Sequence, residues 1–176
     1  TTNPTRKALD ILRDKLIDNS LYQPIYNEVK MLYLQKNYKK IFQDLAVPFT
    51  FEYPEHWRLI EHRERDLIEA SDENYTFSIQ RVSQSQTGIL DNYNPNDNEA
   101  KIIKIFDNEI KKINCFINKK YCGTEYETFQ IDGFHYKIEY KIKRDYKELK
   151  DNDYPIKTMD DIVDSLRINE KYQKRI

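Results

Sequence analysis

The stretch FQIDGFHYKIEYKI, residues 129–142, decides the fold. Asp132-Gly133 predicts a two-residue type I′ turn, because both turn positions need a positive φ that these two residue types tolerate. From Phe134 to Ile142, aromatic and aliphatic residues alternate with polar ones, which is the period of a half-buried strand. The sequence therefore predicts a long antiparallel hairpin with one apolar face.

The strand before the turn fits this register less well. A two-residue loop pairs Phe129 with Tyr136, but it sets Glu127 opposite Ile138 on the apolar face. Two explanations stay open at this point. Either Glu127 lies beyond the covered part of the sheet, or a bulge shifts the register.

Further strands are predicted upstream of the hairpin. Phe49, Phe51 and Tyr53 alternate with polar residues, and Pro54 ends the run. Extended segments follow at residues 57–60, 66–70 and 75–82; Tyr75, Phe77 and Ile79 share one face of the last. Residues 84–97 contain glycine, proline, asparagine and aspartate, so they are predicted to form a loop.

Residues 1–45 are predicted to form two or three helices. The helical spacing i, i+3 or i+4, i+7 is repeated by two sets of apolar residues, and Pro24 suits the first turn of the second helix. Ile41, Phe42 and Leu45 are interpreted as the end of this helical region. The two sets are Leu9, Leu12 and Leu16, and Ile25, Val29 and Leu32.

Two more helices are predicted downstream. The first is capped by Asp97 or Asn98 and buries a stripe of Ile103, Phe106, Ile110 and Ile113, with lysines on its solvent side. The second begins at Thr158, where Asp161 completes a variant of the capping box. Its buried stripe consists of Met159, Ile162, Val163 and Leu166.

Together these elements predict an α+β fold. The expected architecture is an α/β/α sandwich with a mainly antiparallel sheet over residues 46–170. A helical N-terminal extension, residues 1–45, precedes it and acts as a docking segment. Residues 171–176 are a C-terminal tail.

Composition excludes several function classes. The chain has 176 residues, 29 Lys and Arg against 30 Asp and Glu, and a formal net charge of −1. This balance argues against direct nucleic-acid binding. Three glycines are too few for Walker or dinucleotide-binding loops, which need several for close approach to phosphates. No apolar run reaches the roughly 18–20 residues of a membrane span.

Two short motifs give the chain a family resemblance. FTFEYPEHW, residues 49–57, is similar to the opening of the PsbP-like family, an alternating strand that ends in proline and is followed by tryptophan. IVDSL, residues 162–166, is similar to its closing helix, and the order of elements agrees between them. The family often has Gly or Asn where this chain has His56, and residues 1–45 have no counterpart in it.

The resemblance implies a fold and a type of role. The family includes the extrinsic protein of photosystem II, a Ran-binding import factor and DcrB-type periplasmic proteins. Its members act as docking, assembly or stabilising proteins, so the resemblance implies no catalysis. It transfers no site residue to this chain, because partner surfaces differ between branches of the family.

Three histidines and a group of carboxylates are the candidates for chemistry. His56 and His62 flank Trp57, but along an unbroken strand they would stand about 20 Å apart, too far to share a metal. His135 lies on the polar face of the hairpin. The acidic residues lie among arginines, which favours a mixed-charge strand rim. They are Glu61, Glu64, Asp66 and Glu69, beside Arg58, Arg63 and Arg65.

Cys115 and Cys122 match no zinc-binding pattern. Two free thiols in a reducing compartment are the favoured interpretation, and a disulfide stays open because sequence does not give the Cα separation.

The fourteen tyrosines favour protein interfaces, since their rings are apolar and their hydroxyls polar. Tyr22, Tyr26 and Tyr33 follow helical spacing and would give the N-terminal helices a second contact face. The predicted interface consists of Tyr22, Tyr26, Val29, Tyr33, Lys36 and Tyr38.

The sequence thus favours a non-catalytic accessory or assembly subunit of a larger protein complex, without a cofactor or metal. Because Thr1 stands where Met would begin a precursor, an organellar complex is expected, mitochondrial in preference to plastid, with peripheral membrane association through partners. Bacterial cytoplasm or periplasm is the alternative location. Alternative functions are a small-molecule or lipid carrier or hydrolase with a sheet–helix cleft near Trp57, His62 or His135, and a bacterial immunity protein or effector chaperone.

Overall fold

The structure is a computed structural model that describes residues 4–83, 99–117, 119–142 and 154–173. The chain divides into two compact units, Thr1–Lys40 and Ile41–Ile176, called here the helical unit and the sheet unit. The predicted loop over residues 84–97 lies outside the described residues.

The helical unit confirms the two predicted helices. Pro24 stands in the first turn of the second helix, as expected, and the Oδ1 atom of Asn19 accepts a hydrogen bond from the amide of Leu21 in the connection. Asn37, at φ 49°, adopts the left-handed conformation that commonly ends a helix. The elements are α1 (Pro4–Asp18), a 3₁₀ turn (Ser20–Tyr22) and α2 (Gln23–Gln35).

The segment that follows is a strand, so the helical interpretation of Ile41 and Phe42 is wrong. Once Asn37 has ended the helix, residues 39–42 extend, and the side chain of Phe42 is buried in the core of the sheet unit. This strand, β1 (Lys39–Phe42), belongs to a small sheet of order β1–β2–β11, in which the other strands are β2 (Phe49–Pro54) and β11 (Arg167–Ile168).

A large sheet forms the body of the sheet unit. Its strands pair antiparallel in the order β3–β4–β5–β10–β8–β7–β6, and β9 pairs with β10. The predicted α+β class, with N-terminal helices and a large antiparallel sheet, is confirmed. The strands are β3 (Arg58–His62), β4 (Leu67–Ser71), β5 (Tyr75–Val82), β6 (Glu99–Ile105), β7 (Asn108–Ile117), β8 (Lys120–Tyr126), β9 (Phe129–Ile131) and β10 (Phe134–Ile142).

An aromatic core joins the two sheets. The Phe51 ring of β2 lies 5.1 Å from that of Phe42 and 5.4 Å from that of Phe77 in the large sheet, measured between ring centroids. Phe49 meets Tyr136 edge to face at 5.4 Å. Such pairs add to the stabilisation from burial alone. The alternating residues predicted for these strands therefore form the interior of the unit.

The last helix, α3 (Tyr154–Asp164), covers the same face of the large sheet. Its predicted stripe of Met159, Ile162, Val163 and Leu166 is buried, as expected. The predicted cap is wrong, because the helix begins at Tyr154 and Thr158 lies inside it. At its end, the Ser165 hydroxyl donates to the carbonyl of Ile162 and accepts from the amide of Glu52, which ties the helix to β2.

The helix predicted from its stripe of Ile103, Phe106, Ile110 and Ile113 is also wrong, since residues 99–113 belong to the hairpin of β6 and β7. Its predicted caps, Asp97 and Asn98, lie outside the described residues. Ile103 and Ile110 face each other across the two strands, so their spacing of seven is a cross-strand pair. Phe106 and Asp107 form the turn with positive φ values of 45° and 67°. Asn108 supports it by donating a side-chain hydrogen bond to the carbonyl of Ile105.

The long hairpin has the predicted turn and resolves the question of Glu127. Asp132 and Gly133 have φ values of 50° and 82°, and Phe129 pairs with Tyr136. Between β9 and β8 the register against β10 changes by one residue, so a bulge is present. The carboxylate of Glu127 turns to the neighbouring strand, where it accepts from the amide of Lys111 at 2.8 Å.

Cys115 and Cys122 form a disulfide, so the preference for free thiols is wrong. The two residues lie on adjacent strands, β7 and β8, with their Cα atoms 5.2 Å apart. Cys115 pairs with Gly123, the neighbour of Cys122. Gly123 has a φ of 144°, and a Cβ atom there would stand 2.8 Å from the carbonyl oxygen of Tyr140. A residue without a side chain is therefore needed beside the disulfide.

Candidate functional site

The helical unit exposes more large apolar side chains than it buries. Among its described residues, Leu9 and Tyr33 are buried. Ile17 and Leu21 are 80% and 79% exposed, and Ile25 is half exposed; these three surround the junction of α1 and α2 and are called the apolar junction below. Other exposed apolar side chains of the unit are Ile11, Met31, Leu32 and Leu34.

The residues predicted as the interface lie mostly on the inner side of this unit. Tyr33 is buried, and its ring lies 5.8 Å from that of Tyr38. Tyr26 hydrogen-bonds with Arg13 of α1, which raises the pKa of that guanidinium. The Nζ atom of Lys15 lies 5.4 Å from the ring centre of Tyr22. These tyrosines therefore hold α2 in its own unit.

The remaining two predicted interface residues differ in burial: Val29 is half-buried and Lys36 is exposed. The stripe predicted to be buried in α2 is wrong for Ile25 and Leu32, which are exposed. Tyr26, Val29 and Tyr33 follow the spacing i, i+3, i+7 and take the inner face instead. The apolar junction was not singled out from the sequence, because Ile17 and Leu21 fall beside the two predicted stripes.

The sheet unit contains a cleft of about 420 Å³ between the large sheet and α3. Its sheet side is lined by Ile103, Ile105 and Phe106, and its helix side by Val163 and Leu166. A pocket around Trp57, His62 or His135 would favour the alternative of a carrier or hydrolase, and none of these residues lines this cleft. The charged residues of its lining are Lys101, Lys104, Lys112, Asp160, Asp164 and Arg167.

Lys112 is the buried cation of this cleft. Its side chain is 7% exposed, and its Nζ atom donates to the Oδ1 atom of Asp160 at 2.6 Å. The guanidinium of Arg167 donates to the carbonyls of Asp164 and Leu166, each at 2.7 Å. Both cations thus have internal partners, whereas Lys101 and Lys104 on β6 are exposed.

The predicted candidates for chemistry are held in ordinary polar contacts. The Nε2 atom of His62 lies 3.4 Å from Glu69, and its Nδ1 atom lies 3.8 Å from Glu64. His135 contacts Gln130 at 3.3 Å. No group of three or more potential metal ligands occurs within the ranges that the structure describes.

Glu61 forms the only carboxylate pair described in this rim, and its partner is Asp44. Burial, together with a hydrogen bond that protonated Glu61 donates to Asp44 and the negative charge of Asp44, raises the pKa of Glu61, while Arg63 opposes the shift. Arg63 lies 3.6 Å from Asp44 and 3.9 Å from Glu61. Arg81 similarly lies 3.1 Å from Asp66. Carboxylates alternating with arginines agree with a mixed-charge rim.

Three tyrosines of the sheet unit, two of them buried and Tyr121 partly buried, predict a steep alkaline transition. Burial raises the pKa of Tyr121 and Tyr126 well above 10 and that of Tyr136 to about 12. A raised folded-state pKa favours the neutral phenol, so this stability is present below pH 10 and is lost as the pH rises towards 12. We expect tyrosine ionisation, followed by absorbance, to coincide with unfolding, followed by circular dichroism, in that range. Ionisation of all fourteen tyrosines near pH 10 in a folded chain would contradict this expectation.

Comparisons with known proteins include a match to a solved structure. No protein-family model matches the sequence, and no curated protein matches it. The solution structure of cyanobacterial PsbP from Synechocystis is similar to this chain, with a TM-score of 0.45 and 10% sequence identity. The match covers 76% of this chain and 94% of that one. No helix in the described ranges has the length and hydropathy of a membrane span. This neighbour is a PsbP protein, and PsbP-like is the family that the two sequence motifs resemble.

Proposed function

We propose that this chain is a non-catalytic accessory subunit that docks onto a larger protein assembly through its helical unit. The observation that carries the proposal is the apolar junction, where Ile17, Leu21 and Ile25 are all at least half exposed. Large apolar side chains grouped at one place on a surface are typical of protein-interaction sites.

The size of the helical unit supports the same conclusion. Helices of 15 and 13 residues are marginally stable in water unless they bury an apolar face. Within the described part of this unit, Leu9 and Tyr33 are the buried apolar residues. A partner that covers the apolar junction would add apolar burial where the unit itself has little. Each fully covered aliphatic side chain contributes about 1.5–3 kcal/mol.

The proposal predicts that polar substitutions at the apolar junction release the chain from its assembly. The variant Ile17→Gln/Leu21→Gln should fold normally, because both side chains are about four-fifths exposed in the chain itself. Tagged variants would be expressed in the source cells, and the share of each that co-sediments with large particles would be measured. We expect at least a tenfold loss, since two buried side chains contribute more than about 3 kcal/mol to docking.

Ile168→Gln is the matched control, because it removes a side chain of the same kind that is 54% exposed in the sheet unit. This control should co-sediment like the unaltered chain. Equal co-sedimentation of Ile17→Gln/Leu21→Gln and the unaltered chain, with both folded, would contradict docking through the apolar junction.

The disulfide is informative about the cellular compartment of such an assembly. Disulfides persist in oxidising compartments such as the bacterial periplasm and are rare in the reducing cytoplasm. The bond between Cys115 and Cys122 therefore supports an oxidising location, including the periplasmic alternative, over a bacterial cytoplasm. The preference for a mitochondrial location draws no support from the fold.

A further inference from the structure

Strand β6 ends the large sheet on one side. It pairs with β7 along its length, from Glu99 to Ile105, and no other strand in the described ranges pairs with its opposite edge. Most of its side chains are exposed, and Ile102 is 71% exposed. An edge strand presents backbone N–H and C=O groups that can pair with another extended chain.

The cleft lies between β6 and α3, directly beside the outer edge of β6. Side chains of a strand alternate between the two faces of a sheet, so every second side chain of an added strand would point towards the cleft. There it would meet Ile103 and Phe106 on the sheet side and Val163 and Leu166 on the helix side. Aliphatic side chains at alternate positions therefore fit the apolar part of the lining.

The charges at this edge indicate which polar residues the added strand should carry. Lys101 and Lys104 are three positions apart, so they stand on opposite faces of β6. The nearest acidic group recorded for Lys104 is Asp107 at 3.8 Å, and both side chains are so exposed that this pair is weak. Lys112 and Arg167 are already engaged by Asp160 and by backbone carbonyls, as described above. Lys101 and Lys104 can therefore each form an ion pair with a carboxylate, one on either face of an added strand.

The same lysines disfavour a second copy of this chain as the partner. Two antiparallel β6 strands centred between Ile102 and Ile103 would place Lys101 opposite Lys104, and like charges on paired strands are destabilising. Lysines on an edge strand commonly prevent such pairing. An added strand with carboxylates would instead be attracted by Lys101 and Lys104.

We propose that β6 binds an acidic, extended segment of a partner protein, which adds to the large sheet as a further strand. Its backbone pairs with the outer edge of β6, two aliphatic side chains at alternate positions enter the cleft, and carboxylates on both of its faces lie beside Lys101 and Lys104. This surface is separate from the apolar junction, so the inference goes beyond the proposed function and does not depend on it.

The test uses the whole chain, isotopically labelled, and the peptide EEVEVEE, which has the seven-residue length of β6 and carries glutamates on both faces and two valines on one face. Titration is followed by amide chemical shifts. We expect saturable binding, with shift changes concentrated in β6 and α3. Lys101→Glu/Lys104→Glu should weaken binding tenfold or more, because two attractions between opposite charges become repulsions. Lys7→Glu/Lys30→Glu, with the same change of charge on exposed helical residues, should bind like the unaltered chain.

Two further peptides separate strand addition from general attraction. A peptide with alternate backbone nitrogens methylated keeps its charges but loses the donors that pair with a strand, and it should not bind. A peptide with lysine in place of glutamate should not bind either. Equal binding of the methylated peptide, or shift changes away from β6 and α3, would overturn the proposal. So would the same shifts produced by butyrate alone, which would point to a small carboxylate as the ligand.

Discussion

Replacement of Phe51 by alanine is expected to lower the free energy of unfolding by about 3–5 kcal/mol, the usual loss for a buried phenylalanine. Phe51 has no exposed surface, and its ring contacts Phe42, Phe49, Tyr53 and Phe77. It belongs to the small sheet, whereas Phe77 belongs to the large one. The substitution therefore leaves a cavity where the two sheets meet, and chemical denaturation of the purified chain measures its effect.

Phe134→Ala is the control for this prediction. Phe134 is half-buried, and its ring lies 4.7 Å from the guanidinium of Arg81. Loss of that contact should lower stability by about 1 kcal/mol. If Phe51→Ala were no more destabilising than Phe134→Ala, Phe51 would not join the sheets as the structure indicates.

Removal of the disulfide should have the second largest effect. Cys115 and Cys122 close a short loop with a sequence separation of 7. The chain-entropy relation gives about 2.5 kcal/mol for a loop of this size. Cys115→Ser/Cys122→Ser should therefore unfold at a lower denaturant concentration than the oxidised chain, with a similar slope.

Reducing agent provides the internal control for that comparison. It should destabilise the unaltered chain by about the same amount and leave the doubly substituted chain unchanged. An unaltered chain whose unfolding midpoint does not respond to reduction would contradict a structural role for the bond. It would also remove the support for an oxidising compartment.

The strands that meet the aromatic core were predictable because their local signals agree with their burial. For example, Tyr75, Phe77 and Ile79 recur at every second position, and all three are buried on one face of β5. Asp132-Gly133 specifies its turn through backbone conformation alone, whatever surrounds it. The sequence offered a bulge at Glu127 as one of two explanations but could not select it, because the carboxylate accepts a hydrogen bond from Lys111 in a strand that the sequence assigned to a helix.

The hairpin of β6 and β7 was missed for two physical reasons. Its turn places Phe106 and Asp107 at positive φ without a glycine, and a phenylalanine rarely adopts that conformation. Pairing of Ile103 with Ile110 across the strands then reproduces the spacing of a helical stripe. The same error hid the disulfide, because Cys115 and Cys122 become neighbours only when β7 and β8 pair.

The candidate surfaces were the least predictable part of the molecule. Periodicity found Leu9 but could not tell which of two apolar faces of α2 turns inward. Tyr33 was assigned to the interface and is buried, whereas Ile25 was assigned to the buried stripe and is exposed. Tertiary packing determines which face of α2 is buried. The sequence does not show this, because both faces carry apolar residues that suit either the interior or an interface.

Measuring the mass of the complex that contains the native chain tests the proposed function most directly. The mass would be measured by size-exclusion chromatography with light scattering on a mild extract of the source cells, with the chain detected by antibody. Elution at several hundred kilodaltons, lost for Ile17→Gln/Leu21→Gln but not for Ile168→Gln, is the predicted result. A chain that elutes alone near its own mass of 21.4 kDa would contradict the account. So would a small complex with a single toxin or effector, which would favour the immunity-protein or chaperone alternative.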